Sequence, residues 1–172
     1  MMVPVKRMVG IVDKDPLLRY SFAARMRIYE NYGLLILSED MAVQYKPEPN
    51  TVLVRIKDDE FATLKYPDLY EDILEVLFAD IDQPSIYDQL MTEEQAQQIF
   101  NFMDKYRDRK FVVHCQAGIS RSSAVGCAWA YMNGLPELEE KIRRTPCFHP
   151  NAHVYRRLVD AIEGEEIELS FS

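Results

Sequence analysis

The chain has 172 residues, 48% of them hydrophobic and 28% charged, and a formal net charge of −8. That length suits one domain able to bury roughly two-thirds of its unfolded surface without disulfide or metal staples, and the composition excludes disordered and collagen-like classes. The negative balance argues against general binding to nucleic acid or an anionic membrane, both of which rely on lysine and arginine.

The longest apolar runs, such as Leu34 to Leu37, fall far short of the roughly 20 residues that span a bilayer. The N-terminal MMVPVKRMVGIVDKD lacks the order of a signal peptide. Three cysteines, Cys115, Cys127 and Cys147, form neither an even disulfide framework nor a paired CxxC zinc pattern, so reduced thiols and a cytoplasmic location are expected.

Residues 8–12, MVGIV, read as a first strand, and Asp15-Pro16 as a helix start with proline just inside it. Leu18, Phe22, Ala23 and Met26 have the spacing of an amphipathic helix over 17–29, which Gly33 can end. Leu34 to Leu37 is a buried strand, Pro47 and Pro49 mark an exposed connection, and 51–56, TVLVRI, is an alternating strand. After the turn-bearing 58–72, Ile73 to Phe78 forms a strand that empties into the acidic loop ADIDQP at 79–84. Thr92 to Gln95 has the form of a capping box, and Ala96, Ile99, Phe100 and Met103 share one face of the helix it opens.

A strand over 111–115 then leads through a short loop into a helix from Arg121 to Met132, closed by Asn133-Gly134. A shorter helix over 137–144 is broken at Thr145-Pro146. Val154, Leu158 and Ile162 indicate a final helix, and the acidic tail from about residue 164 is expected to fray. Strands alternating with helices, with no repeat and no linker, predict a single α/β domain over 1–172 with a central, mostly parallel sheet flanked by helices.

The stretch 111–123, FVVHCQAGISRSS, carries the chemistry. Five residues, Gln116, Ala117, Gly118, Ile119 and Ser120, separate Cys115 from Arg121. A loop this short, turning from strand to helix, points successive backbone N–H groups inward and makes an anion nest at a helix N-terminus. The helix dipole and the guanidinium both favour thiolate over thiol. Arg121 can grip two oxygens of a phosphoryl group at once, which a lysine cannot match. Taken alone, Cys127 and Cys147 read as small buried hydrophobes, His114 as a satisfied core histidine, and Ser122 as a helix-start residue.

His114-Cys115-x5-Arg121-Ser122 resembles the signature of the cysteine-dependent protein tyrosine phosphatases, and HCQAGISRSS is similar to their dual-specificity branch and its bacterial relatives. The resemblance covers about 73–162; residues 1–50 match no family and are expected to shape the pocket rim. It implies a dual-specificity-phosphatase-like fold, Cys115 as nucleophile, 116–121 as the phosphate loop, His114 as a support for that loop, and Ser122 as a donor to the departing sulfur. Asn151, in Pro150-Asn151 before the last helix, is implied to support the site.

A phosphate ester leaves poorly unless protonated, so a carboxylic acid must reach its oxygen. Asp80, Asp82 and Asp88 are candidates. The family commonly carries its acid as Asp with Pro four positions later, which Asp80 and Pro84 match, while Asp82 remains the alternative. Arg143, Arg144, Arg156 and Arg157 are candidates for a basic patch, though such residues usually form a solvated helix face. The expected activity is hydrolysis of phosphate monoesters, on a phosphorylated protein or a small aryl phosphate, with no metal and no cofactor. A non-catalytic phosphate-binding module and a sulfur-transfer or arsenate-reducing enzyme are the rivals. The loop lacks the lysines typical of phosphoinositide phosphatases.

Overall fold

A computed structural model describes residues 15–171, so the strand expected at 8–12 lies outside the described residues. Helix α1 (Pro16–Tyr32) begins where the Asp15 carboxylate accepts from Leu17 N at 2.9 Å, and ends at Gly33, which takes the left-handed conformation with φ 75°. Of the face expected, Phe22 and Met26 are buried and Leu18 packs beside them, but Ala23 does not belong to it. Phe22, Met26 and Tyr29 are buried together with Arg25, while Ala23 is exposed. A helical stripe set by Phe22 passes through residues three, four and seven positions on, which takes in Arg25 and leaves out Ala23.

Strand β1 (Leu34–Ser38) passes into a short helix, α2 (Glu39–Gln44), whose cap is the Ser38 hydroxyl accepting from Met41 N at 3.2 Å. Six residues are too few to show a helical period, so this element was not legible beforehand. In the connection that follows, Pro49 is exposed but Pro47 is buried, contrary to the exposure expected of both.

Strands β2 (Thr51–Lys57) and β3 (Asp72–Leu77), helix α3 (Glu93–Lys105) and strand β4 (Lys110–Cys115) complete the sheet region. The expected capping box opens α3: Gln95 N donates to Thr92 Oγ1 at 3.1 Å and Thr92 N to Gln95 Oε1 at 3.0 Å. Among the described residues the sheet has four strands, all parallel, in the order β1-β4-β2-β3, with Ser38 opposite Cys115 and Arg55 opposite His114. Six consecutive residues of β2 are buried, so it is not the half-exposed alternating strand expected; a strand inside a parallel sheet is covered on both faces.

One face of the sheet, with Leu34, Ile36, Val52, Val54, Phe111 and Val113, packs on α3, α4 (Arg121–Met132), α5 (Pro136–Arg144) and α6 (Ala152–Phe171). The other, with Leu35, Leu37, Leu53 and Val112, is covered by Phe22, Met26 and Tyr29 of α1 and Met41 of α2. Every residue of α4 but Tyr131 is buried, as expected of a central helix packed on several sides. A Cβ on Gly126 would lie 2.7 Å from the end of the Ile36 side chain, so α4 sits close against β1 at this residue. The segment from about residue 164, expected to fray, continues α6 to Phe171. The glutamates there favour helix enough to carry it through Gly164.

Candidate active site

Parallel strands open their carboxyl ends on one edge of the sheet, the edge where such folds bind ligands. Cys115 ends β4 there and is 2% exposed. Its Sγ lies 3.1 Å from Ser122 Oγ and accepts from Gly118 N at 3.3 Å. Residues 116–120 turn the chain back so that Arg121 and Ser122 open α4, both buried.

The turn is held from several directions. Glu39 N donates to Gln116 O at 3.1 Å, His149 N to Ile119 O at 2.9 Å and Asn151 N to Ser120 O at 3.0 Å. Arg25, buried in α1, donates Nη1 to Gly118 O at 3.0 Å and to Ile36 O at 2.8 Å, with its guanidinium 4.9 Å from the Phe148 ring centre. Gly118 has φ 70°, and a Cβ there would fall 2.5 Å from Ser38 N. Glycine is therefore required twice over, for a left-handed backbone and for contact with the end of β1.

Arg121 donates Nη1 to the Asp58 carboxylate and, at 2.8 Å, to Phe78 O. Its Nε is buried and has no partner among the described residues. A buried, charged N–H without an acceptor is costly. Asp58 is placed by the segment after β2, which Glu39 pins by accepting from Lys57 Nζ at 2.8 Å and Ala62 N at 3.0 Å. Burial raises the Glu39 carboxyl, but the bonds from Lys57 and Ala62 outweigh it and hold the group below the ordinary carboxylate range.

His114 is fully buried between two fixed partners. Arg55 Nε donates to its Nε2 at 2.9 Å, and its Nδ1 lies 3.2 Å from Cys115 O. With Nε2 accepting from a guanidinium, the ring is the neutral tautomer with the proton on Nδ1, which donates to the Cys115 carbonyl. Burial, reinforced by the Arg55 charge and opposed by that bond, pushes its pKa down to about 4.

Asp80 reaches the loop from the segment after β3. Its Oδ1 accepts from Ser120 Oγ at 2.8 Å and Asn151 Nδ2 at 2.9 Å. Asn151 also donates to Ile81 O at 3.0 Å and caps α6 by accepting from Val154 N at 3.0 Å. Asp82 is exposed and lines, with Asp80, Ser120 and His149, a hollow of about 380 Å³ beside the loop. Asp88 lies farther out, its N–H on Ser85 Oγ.

The structure thus brings together Cys115, Arg121, Ser122, residues 116–120, His114, Asp80 and Asn151. It leaves Asp82 at the edge. Three of the four arginines considered for a basic patch are ion-paired, Arg143 with Glu139, Arg144 with Glu140 and Arg157 with Glu93, and Arg156 is exposed. Among the described residues no cluster of three or more His, Cys, Asp or Glu could hold a metal ion, and no helix is long and apolar enough to cross a membrane. Three groups at the site were missed in the sequence: Arg25, Arg55 and Asp58. The one available signal was Arg55, a lone charge inside the apolar run TVLVRI.

Against solved structures the chain is similar to human tyrosine phosphatase-like serine/threonine/tyrosine-interacting protein, at 21% identity and TM-score 0.54, over 80% of this chain and 93% of that one. It is also similar to a mouse putative dual specificity phosphatase complexed with zinc tungstate, at 17% identity and TM-score 0.58, over 80% and 86%. The fold is that of the dual-specificity phosphatases. Human DUSP28 matches at 16% identity and TM-score 0.54, over 79% of this chain and 95% of its own. No protein-family model matches the chain, and no curated protein matches it.

Proposed function

We propose that this chain is a phosphatase that hydrolyses phosphate monoesters, on phosphotyrosine or another phosphorylated residue of a protein or on a small aryl phosphate, through a cysteinyl-phosphate. The observation that carries the reading is the convergence of Cys115 Sγ, Ser122 Oγ, Gly118 N and the partnerless buried Nε of Arg121 on one turn. The fold shared with dual-specificity phosphatases supports it, and tungstate, bound by one of the neighbours, is a tetrahedral oxyanion.

In this mechanism the Cys115 thiolate attacks phosphorus in line. Loop amides and the Nε edge of Arg121 hold the equatorial oxygens, an edge left open because Asp58 and Phe78 O occupy Nη1. Asp80 protonates the leaving oxygen as the P–O bond breaks. The cysteinyl-phosphate is then attacked by water, which gives its proton back to Asp80, and Ser122 donates to the departing sulfur. The loop and Arg121 carry the charge, so the chemistry asks for no metal and no cofactor. Three free cysteines fit a reducing, cytoplasmic compartment.

The test is hydrolysis of p-nitrophenyl phosphate with EDTA present. Wild type is expected to turn over and to be inhibited by vanadate, and Cys115→Ser to be inactive while retaining the fold by circular dichroism. Activity surviving in Cys115→Ser overturns the mechanism.

A further inference from the structure

Around the mouth of the anion site the charge changes sign. The segments 58–64, 79–91 and 116–120 open at the same end of the parallel sheet and contain no lysine or arginine. They carry Asp58, Asp59, Glu60, Asp80, Asp82 and Asp88, all exposed. Two of these are bonded to the loop's own residues, Asp58 to Arg121 and Asp80 to Ser120, which fixes the carboxylate rim against the mouth. Lys57, at the end of β2, is tied to Glu39 at 2.8 Å and reaches one rim carboxylate, Asp59, at 3.8 Å.

Behind and within the loop the sign is positive. Arg25, Arg55 and Arg121 are all buried there, and the unpaired Nε of Arg121, on a side chain 6% exposed, marks the anion position independently of the rim. Buried charges are screened less than exposed ones. A phosphoryl group seated in the loop therefore feels the arginines at short range, while whatever extends from it toward solvent meets carboxylates.

We propose that the site selects a bipolar substrate: a phosphorylated residue in the loop, with a lysine or arginine of the same peptide against the carboxylate rim at Asp59 and Glu60. This rests on the phosphatase reading above and narrows it to phosphoproteins with basic flanks. Ligands whose phosphate is attached to further anionic groups, such as nucleotides and inositol polyphosphates, meet the rim as like charge and are rejected.

The experiment compares two phosphotyrosine peptides that differ only in flanking residues, lysine and arginine in one and glutamate in the other. The basic peptide is expected to have the higher kcat/KM by about fivefold to tenfold, the size of one or two exposed ion pairs, and to lose the advantage in high salt. Asp59→Lys/Glu60→Lys should erase the preference and leave p-nitrophenyl phosphate turnover within about twofold of wild type. Equal kcat/KM for the two peptides, or a preference unchanged in the charge-reversed variant, overturns the proposal. Kd values of both peptides for Cys115→Ser separate it from catalysis. Tighter binding of the basic peptide by a wild type without turnover would sustain the rim and sink the phosphatase reading; equal Kd values together with turnover would do the reverse.

Discussion

The cysteine loop, 116–120, and the acid-bearing segment, 79–91, both follow the carboxyl end of a parallel strand, yet the first is tied along its length and the second chiefly at its base. Gln116, Gly118, Ile119 and Ser120 each give their carbonyl to a donor from another element: Glu39, Arg25, His149 and Asn151 in turn. In the acid segment Phe78 and Ala79 are buried, and Ala79 N donates to Gln89 O at 2.7 Å to close the base. Beyond Ile81 the residues are exposed as far as Gln89, with Ile86 and Tyr87 at 90% and 88%. In the mechanism proposed above, the nucleophile and its anion nest are thus preorganised by the fold, and the acid hangs on a few side-chain bonds. Electrostatic stabilisation needs donors fixed before the reaction, whereas a proton donor need only reach its oxygen.

Breaking the rigid side should have the larger effect. Arg121→Lys removes the planar fork and is expected to lower kcat/KM for an aryl phosphate by about 10³-fold. Gly118→Ala places a Cβ 2.5 Å from Ser38 N at a residue with φ 70°. It should cost activity on the order of 10²-fold and lower the thermal midpoint, because the loop cannot move without disturbing β1. A Gly118→Ala enzyme with wild-type kinetics would show that the loop is not held as described.

Breaking the looser side should separate turnover from binding. Asp80→Asn is expected to lower kcat by about 10²-fold while vanadate binds as before. Asn151→Ala removes one of the two donors to Asp80 and should cost about tenfold in kcat. If Asp82→Asn lowers kcat by about 10²-fold with vanadate binding unchanged and Asp80→Asn is silent, the proton donor is Asp82.

The same contrast explains what could be read beforehand. The cysteine loop was legible because its parts are neighbours in sequence: one strand, one turn and one helix start fix Cys115, Gly118 and Arg121 within seven residues. Its supports were not legible because tertiary pairing delivers them. Arg25 comes from α1, on the stripe assigned beforehand to Ala23, and Arg55 stands opposite His114 through the β2–β4 register. Asp58 is one carboxylate in the run Asp58-Asp59-Glu60, and nothing local distinguishes the one that meets Arg121. The element order and the sheet followed from hydrophobic runs and turn residues. The short α2 and the continuation of α6 past Gly164 did not, since one lacks a full period and the other crosses a residue that ordinarily ends helices.

A last effect concerns the support behind Cys115 and reads out in stability, not in turnover. His114 is neutral in the folded chain down to about pH 4, whereas in the unfolded chain it titrates near its ordinary value of about 6.5. Between those values the unfolded state binds more protons, so this contribution is complete above about pH 6.5 and is lost as pH falls toward 4. The loss amounts to on the order of 3 kcal/mol. Its structural cause is specific: a proton on Nε2 would remove the lone pair that accepts from Arg55 and set two cations against each other in a buried site. His114→Asn retains a donor for the Cys115 carbonyl and cannot titrate, so its unfolding free energy should be lower than wild type at pH 7 and should fall less between pH 6.5 and 4. Urea unfolding at a series of pH values measures both slopes, and parallel curves for the two proteins would mean that His114 is not the group held neutral behind Cys115.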